Sequence, residues 1–356
     1  MNIKIKKSEL VSKLGLLMNV IKENRIRPAL SQVLIMVDEE IKLIGTDLEQ
    51  TLICKLDGEI LEQGKTTFNI KENFDLIKLT ESDIIEIKTN AYMLEIDNMS
   101  FTTYDTLEFP EIRIQDSEES EVKTEDLIRD INKSTFAASQ KPENIEINCL
   151  RIADKTMTTT DSYRMVILGS DIVLKRNVSI PIKSVDNLVK ILNSTIDEKT
   201  KVSFESNKAV FKTENMTYTT RLIDLPFPDV NAIMKNVHTD KKAVIDSITF
   251  QKILKKVLVI TKNNVEIKDG AIFTFSPGKL IIQGKSDSSK IKETLRISYS
   301  GEDTKVCLNC RFLMDYAKNI KNMLEINFSN KNSAFVLKEE GLDNYKYLTM
   351  PLAIKD

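Results

Sequence analysis

A strand, a tight polar corner and a second strand occur three times in this chain, at intervals that suit a domain rather than a solenoid repeat. The middle copy is residues 154–168, DKTMTTTDSYRMVIL, with its corner at Thr160-Asp161-Ser162. The first copy spans 39–54 with Asp47 at the corner, and the third spans 278–295 with Asp287 there. The corner aspartates lie 114 (161 − 47) and 126 (287 − 161) residues apart. Leu10, Leu127 and Ile253, each in an apolar stripe of helical spacing, lie 117 and 126 apart, so helix and corner drift together. Chance periodicity does not move two unlike features in step. The 356 residues therefore read as three copies of one module, 1–117, 118–240 and 241–356.

In the first module, residues 2–6 read as a strand and Ser8 as the N-cap of a helix with the stripe Leu10, Val11, Leu14, Leu17, Met18 and Ile21. Strands follow at 32–38, 40–47 and 51–57. The unit then begins again with a strand at 65–70, a helix at 71–79 and strands at 84–89, 92–97 and 101–104. Asp-Glu-Glu, Thr-Asn-Ala and Asp-Asn-Met-Ser supply the turns. Each module is thus two units of strand, helix and three strands. The second has the stripe Leu127, Ile128 and Ile131 after Thr124, a second helix at 183–192 and last strands within 201–222. The third has Ile253, Leu254 and Val257, a strand at 280–283, a second helix at 311–320 and strands within 324–350. Phe109-Pro110 and Phe227-Pro228 close the first two modules, and the acidic run QDSEESE (115–121) has the composition of a linker.

Composition sets limits on function. Hydrophobic residues make up 41% and charged ones 29%, enough for several cores and too charged for a membrane protein. No run approaches the roughly 18 apolar residues of a membrane span, and the N-terminus lacks an apolar signal region, so the cytoplasm is the expected address. Cys54, Cys149, Cys307 and Cys310 read as reduced thiols. Cys307 and Cys310 have the spacing of a redox or zinc half-site, but no second pair accompanies them, and packing is the expected role. His238 is the only histidine, in the polar segment 235–242, where a solvated linker residue is expected. Histidine-dependent catalysis would have to run through that one ring. No phosphate-binding glycine loop is present. Neither a metal nor a cofactor is expected.

The net charge of −2 argues against holding nucleic acid by bulk attraction but leaves a local basic face open. The second helix of each module carries two cations seven residues apart: Lys71 and Lys78, Lys183 and Lys190, Arg311 and Lys318. Seven residues is two turns, so each pair shares a face. A solvated helix face explains any one pair; recurrence in three modules points to a shared polyanion. No aromatic is interleaved with them, which favours contact with a duplex backbone over stacking on single strands.

Gly45-Thr-Asp-Leu-Glu49, Thr160-Asp-Ser-Tyr-Arg164, Arg221-Leu-Ile-Asp-Leu-Pro-Phe-Pro-Asp229 and the terminal Tyr347-Leu-Thr-Met-Pro-Leu352 stand in an order that resembles the bacterial sliding clamps, the beta subunits of DNA polymerase III. The resemblance covers essentially the whole chain. It implies an α+β fold of three DNA-clamp domains, each with two helices packed on antiparallel sheets, closing as a head-to-tail homodimeric ring round duplex DNA. It further implies a non-catalytic processivity factor with a peptide-binding cleft between the second and third domains. The implied partners are the DNA polymerase III alpha subunit, the clamp loader and other proteins with clamp-binding motifs. The matching cleft positions are Ile147, Thr160, Ser162, Tyr163, Arg164, Met165, Pro228, Ile233, Ala334, Leu348, Met350, Pro351 and Leu352. Arg164 would hold a peptide carbonyl or carboxylate, and the methionines would supply an adaptable apolar surface; for Leu348 and Ile147 a sheet-core role stands beside this. On the DNA side Lys183 matches a family contact, and Arg25 matches another.

The chain departs from the family pattern in three places. Ser162-Tyr163 stands for the usual Gly-His, Ala353 for the usual arginine, and Lys355-Asp356 extend past the usual end. Two rival readings remain at this stage: a monomeric peptide-binding adaptor that does not encircle DNA, and an enzyme acting on nucleotides.

Overall fold

The computed structural model describes all residues except Ala91, Asp116 and 354–356. Three sequence features fall on these positions and so lie outside the described residues: Ala91 of the Thr-Asn-Ala turn, Asp116 of the acidic run, and the Lys355-Asp356 extension.

Seven α-helices are found among the described residues: α1 (Lys7–Val20), α2 (Ile70–Leu79), α3 (Thr124–Ser134), α4 (Ile182–Leu192), α5 (Val230–Lys235), α6 (Ser247–Thr261) and α7 (Cys310–Ala317). The strands form four antiparallel sheets, and the chain packs as two compact units. One unit comprises Met1–Ile128 and Lys183–Asp224, the other Arg129–Ile182 and Leu225–Asp356. The units do not follow the three repeats because each holds an eight-stranded sheet shared by two of them. In the first, Met216–Arg221 pairs with Gln50–Leu56, Tyr218 opposite Leu52. In the second, Tyr345–Thr349 pairs with Arg164–Gly169, Tyr347 opposite Val166.

The expected order of strand, helix and three strands, twice per module, is present. Helix α1 buries Leu10, Leu14, Leu17 and Val20, and α6 buries Phe250, Ile253, Leu254, Val257 and Leu258. Each such side chain contributes about 1.5–3 kcal/mol by leaving water. The edge strand Gly58–Glu62 and the short helix α5 lie outside that order. Ser8 is not an N-cap. Helix α1 begins at Lys7, with Lys6 in the cap position and no side-chain cap bond, because the preceding strand Asn2–Lys6 runs straight into the helix. The caps lie elsewhere: Asn69 Oδ1 accepts from the amides of Lys71 and Glu72, and Asn309 Oδ1 from those of Arg311 and Phe312.

The repeat itself is shifted in the third copy. Asp47 and Asp161 each donate their amide across the corner, to the carbonyls of Gln50 and Arg164, and each carboxylate accepts two amides of the turn. In the third copy the amide bond runs from Ser286 to Ser289, and Ser286 Oγ takes the place of the carboxylate. The corner residue is therefore Ser286, not Asp287, since a hydroxyl can close the same turn. Counting from the first helical residue, Leu10 and Leu127 correspond to Phe250, one turn before Ile253. The second helix of the third module ends at Ala317 rather than 320.

Candidate functional site

A groove of about 740 Å3 lies where Arg164–Gly169 meets Tyr345–Thr349. Its floor is Met165, which faces Leu348 on the adjacent strand, and Leu348 in turn faces Val336 one strand further on. All three are buried, and Val230, Ile233, Met234 and Val237 of α5 and the residues just beyond it pack against them. Asp229 starts α5 by accepting from the Ala232 amide, directly after Pro228.

Of the thirteen cleft residues expected from the sequence, ten line this groove: Thr160, Ser162, Tyr163, Arg164, Met165, Pro228, Ile233, Ala334, Leu348 and Met350. Tyr163 and Met350 are exposed, and the Met350 amide donates to the Tyr163 carbonyl at 2.9 Å, which fixes one rim. Three expected residues do not line it. Ile147 is buried behind the corner, its carbonyl accepting from Ser139. The chain turns away after Met350, so Pro351 leaves the groove and the Leu352 amide donates to the Cys307 carbonyl. The groove also takes in Asn236, Val237, His238, Ser329, Asn330, Ser333 and Thr349. His238 is exposed as expected but stands in this wall. The Asp229 cap and the apolar pair Ile233-Met234 were signals for the helix that brings it there; nothing local marked the 329–334 loop.

Arg164 is tied to two carboxylates at the groove corner. Its Nε donates to Asp161 at 2.9 Å and its Nη1 to Asp315 at 2.8 Å. The guanidinium also lies 4.1 Å from the Phe312 ring centroid and 6.0 Å from that of Phe136. Burial opposes its charge, but Tyr347, Asp315 and Asp161 outweigh burial and raise its pKa. Two carboxylates take its Nε and Nη1, so the guanidinium is held in place at the groove corner. Ser162 sits at φ 76°, and Leu48, its counterpart in the first module, at φ 73°. A side chain is strained there, whereas the glycine common in the family is not.

The six cations of the second helices occupy equivalent places. Lys71, Lys183 and Arg311 are the second residues of α2, α4 and α7, and Lys78, Lys190 and Lys318 follow seven residues later, all exposed. Lys78 pairs with Asp75 at 3.5 Å and Lys318 with Asp315 at 3.7 Å, while Lys190 Nζ donates to Asn19 Oδ1 at 2.9 Å. Arg25 is exposed in the loop after α1, 3.4 Å from Glu23.

Cys307 and Cys310 are buried, and burial pushes both thiols up, Cys307 to about 11, so neither favours the thiolate that redox or zinc chemistry needs. Among the described residues no cluster of three or more metal-ligating side chains occurs, and no helix is long and apolar enough to cross a membrane.

Three modules with two principal helices each, the second carrying the short α5 as well, share antiparallel sheets across their junctions and define the class of DNA-clamp folds. Family models for the N-terminal, central and C-terminal domains of the DNA polymerase III beta subunit match residues 1–113, 121–229 and 237–353. The chain belongs to the DNA polymerase III beta subunit family. The beta sliding clamp of Pseudomonas putida is 23% identical, with 99% of this chain and 100% of that protein aligned. The crystal structure of the DNA polymerase III beta subunit from Pseudomonas aeruginosa superposes with a TM-score of 0.89 at 23% identity, covering 99% of this chain and 100% of that one. A sliding clamp from Bartonella birtlesii, solved bound to griselimycin, superposes at 0.91 with 20% identity and the same coverage.

Proposed function

We propose that this chain is a DNA polymerase processivity factor: two copies close head to tail as a ring round duplex DNA, and the groove takes short peptides from partners. The pairing of the strands carries this reading. The last strand of the second module pairs with the strand after the corner of the first, and the last strand of the third with that of the second. The register is the same in both, Gln50 facing Thr220 and Arg164 facing Thr349. One strand of each kind is left at an open edge: Met99–Thr102 in the five-stranded sheet and Lys290–Arg296 in the four-stranded one. A second chain satisfies both edges at once, and the reciprocal pair closes the ring. On this register Thr103, in the Phe101-Thr-Thr-Tyr104 motif, faces Ser289 of the partner subunit.

Helix contacts support the same closure. Lys190 of α4 reaches Asn19 near the end of α1, and Lys318, just past α7, lies 5.8 Å from the Phe136 ring centroid. The third such pair is Lys78 with Val259 of the partner subunit, and Val259 is 60% exposed in the single chain. The modules of this reading are 1–117, 118–240 and 241–356. A ring stays on DNA by topology, so its phosphate contacts can be few, in keeping with a net charge of −2. The exposed cations Arg25, Lys71, Lys78, Lys183, Lys190, Arg311 and Lys318 face the duplex. The partners are the polymerase alpha subunit, the clamp loader and other proteins with clamp-binding motifs; the chain itself is non-catalytic and cytoplasmic.

Thr103→Cys with Ser289→Cys tests the closure. The double variant should form an intermolecular disulfide and the single variants should not; a chain that stays monomeric by light scattering at micromolar concentration supports the adaptor reading instead. Protein loaded on circular DNA should be released when that DNA is linearised. Retention on linear DNA with free ends would indicate ordinary electrostatic binding.

A further inference from the structure

A second hollow, of about 930 Å3, lies within the third module and shares no residue with the groove. It opens on the four-stranded sheet, whose two faces are unlike because side chains alternate along each strand. Ala271, Phe273 and Phe275 are buried on one face, where α6 packs. The other face carries the row Lys292, Gln283, Ile272 and Cys307, one residue from each strand in register. Ile272 is half-buried in the middle of that row. Four lysines also line the hollow: Lys285 and Lys290, which face each other, Lys292, and Lys305 on the strand of Cys307. Its one lining carboxylate among the described residues, Glu266, lies 2.8 Å from Lys285. Lys290, Lys292 and Lys305 are exposed and have no ion pair among the described residues.

The end of the chain joins this hollow to the groove. Met350 lines the groove, the Leu352 amide donates to the Cys307 carbonyl at 2.8 Å, and Ala353 lines the hollow. Gly270 makes the room, since a Cβ there would run into the side chains of Leu352 and Ile267. Three extended residues span at most about 10 Å. A peptide leaving the groove past Met350 therefore reaches the lysines within a few residues of its own.

We infer that the hollow takes an acidic flank of the partner peptide whose apolar core fills the groove. Asp or Glu side chains of the flank meet Lys290, Lys292 and Lys305, and an apolar residue between them covers Ile272. Charge complementarity selects this occupant: three unpaired ammonium groups cluster here in a chain whose net charge is −2, so a basic flank is repelled and an acidic one drawn in. Each contact is exposed, weak and screened by salt, so together they choose among peptides rather than hold one unaided. Pairing of Lys290–Arg296 with a partner strand would use main-chain groups at the sheet edge, whereas Lys290 and Lys292 project from the face. The inference rests on the peptide-binding reading of the groove.

The test uses the full-length protein and fluorescent peptides that share the apolar core of a polymerase alpha subunit peptide, with affinity read by anisotropy at low salt. The core is flanked at its N-terminal or its C-terminal end by Asp-Leu-Glu-Asp, each beside the amide counterpart Asn-Leu-Gln-Asn. At one of the two ends the acidic flank should bind about 5- to 15-fold tighter than the amide flank, an advantage that fades as salt is raised. Lys290→Gln/Lys292→Gln/Lys305→Gln should abolish the advantage and leave the affinity for the amide peptides unchanged. Lys252→Gln/Lys255→Gln/Lys262→Gln, the same change of charge on and just past α6, should keep it. An acidic flank that adds nothing at either end overturns the site. So does an advantage that survives the first triple variant, or one that both triple variants remove equally, which would mark bulk attraction. If amide peptides bind and only the flank is without effect, the hollow alone is lost; if no peptide binds the native chain, the groove reading fails with it.

Discussion

Asn187 Nδ2 donates to Gln50 Oε1 at 2.8 Å, and the same two positions at the next junction hold Asp315 and Arg164, also at 2.8 Å. A tyrosine completes each set: the Tyr218 hydroxyl lies 2.6 Å from Gln50 Oε1, and Tyr347 is buried beside Arg164. One junction is therefore tied by a buried neutral network and the other by an ion pair in the same frame. The difference suits their tasks, because the charged version also builds the corner of the groove.

These ties should respond differently to truncation. Asn187→Ala strands the buried Gln50 carbonyl oxygen with only Tyr218 and should cost about 1–3 kcal/mol. Arg164→Ala leaves Asp161 and Asp315 facing each other and removes the packing on Phe312, so it should cost more than Asp315→Ala, which leaves Arg164 its bond to Asp161. Urea unfolding of the three variants decides this; an Arg164→Ala variant as stable as the native chain would remove the ion pair from the account.

Ser162→Gly should stabilise the chain by about 0.5–1 kcal/mol, since it relieves a left-handed backbone at φ 76°. Leu48→Gly should act in the same direction. Loss of stability in both, measured as a lower urea midpoint at unchanged slope, would contradict the corner geometry.

Asp246 caps α6 by accepting from the Thr249 amide at 2.7 Å, and its bonds to the Thr249 side chain and amide hold its pKa below the usual 3.8. A depressed carboxylate stabilises the fold above its unfolded pKa, and that contribution disappears as pH falls through the lower folded value. Asp246→Ala should therefore cost about 1 kcal/mol at neutral pH, with the gap to the native chain shrinking once pH falls below about 3.8. A gap that stays constant to low pH would mean that the charge of the cap contributes nothing.

Much of this arrangement can be read from residue order because its devices are local. The corners at Asp47 and Asp161, the helix stripes at Leu10 and Leu127, and the cations seven apart each use spacing within a single element. The third corner escapes because Ser286 closes the turn that aspartate closes elsewhere, while the nearby Asp287 draws the eye. Phe250 escapes in the same way, as Ile253 one turn later continues the stripe. Arg164 shows the limit of local reading: Asp161 is three residues away in sequence, but Asp315 is 151 away and only the fold brings it in. Ile147 and Leu352 fall outside the groove because alignment to a motif says which residues correspond, not where the chain turns after Met350.

The two junctions within the chain differ in the residues that stand at the groove position. Where one junction has the row Met165, Leu348 and Val336, the same register in the other holds Thr51, Thr219 and Val210. These threonines are 7% and 6% exposed, so the fold tolerates that residue type at both positions. Met165→Thr with Leu348→Thr should therefore convert the groove into the first junction's chemistry without unfolding the chain. The lost apolar burial should cost about 2–5 kcal/mol of stability, and because the floor is where a peptide's apolar side chains would be desolvated, peptide affinity should fall by about 100-fold or more. Titration with a fluorescent peptide from the polymerase alpha subunit, beside thermal unfolding of the same variant, reads both effects. A folded double variant that still binds the peptide at native strength would mean that the row Met165, Leu348 and Val336 is ordinary sheet core and that the partner docks elsewhere.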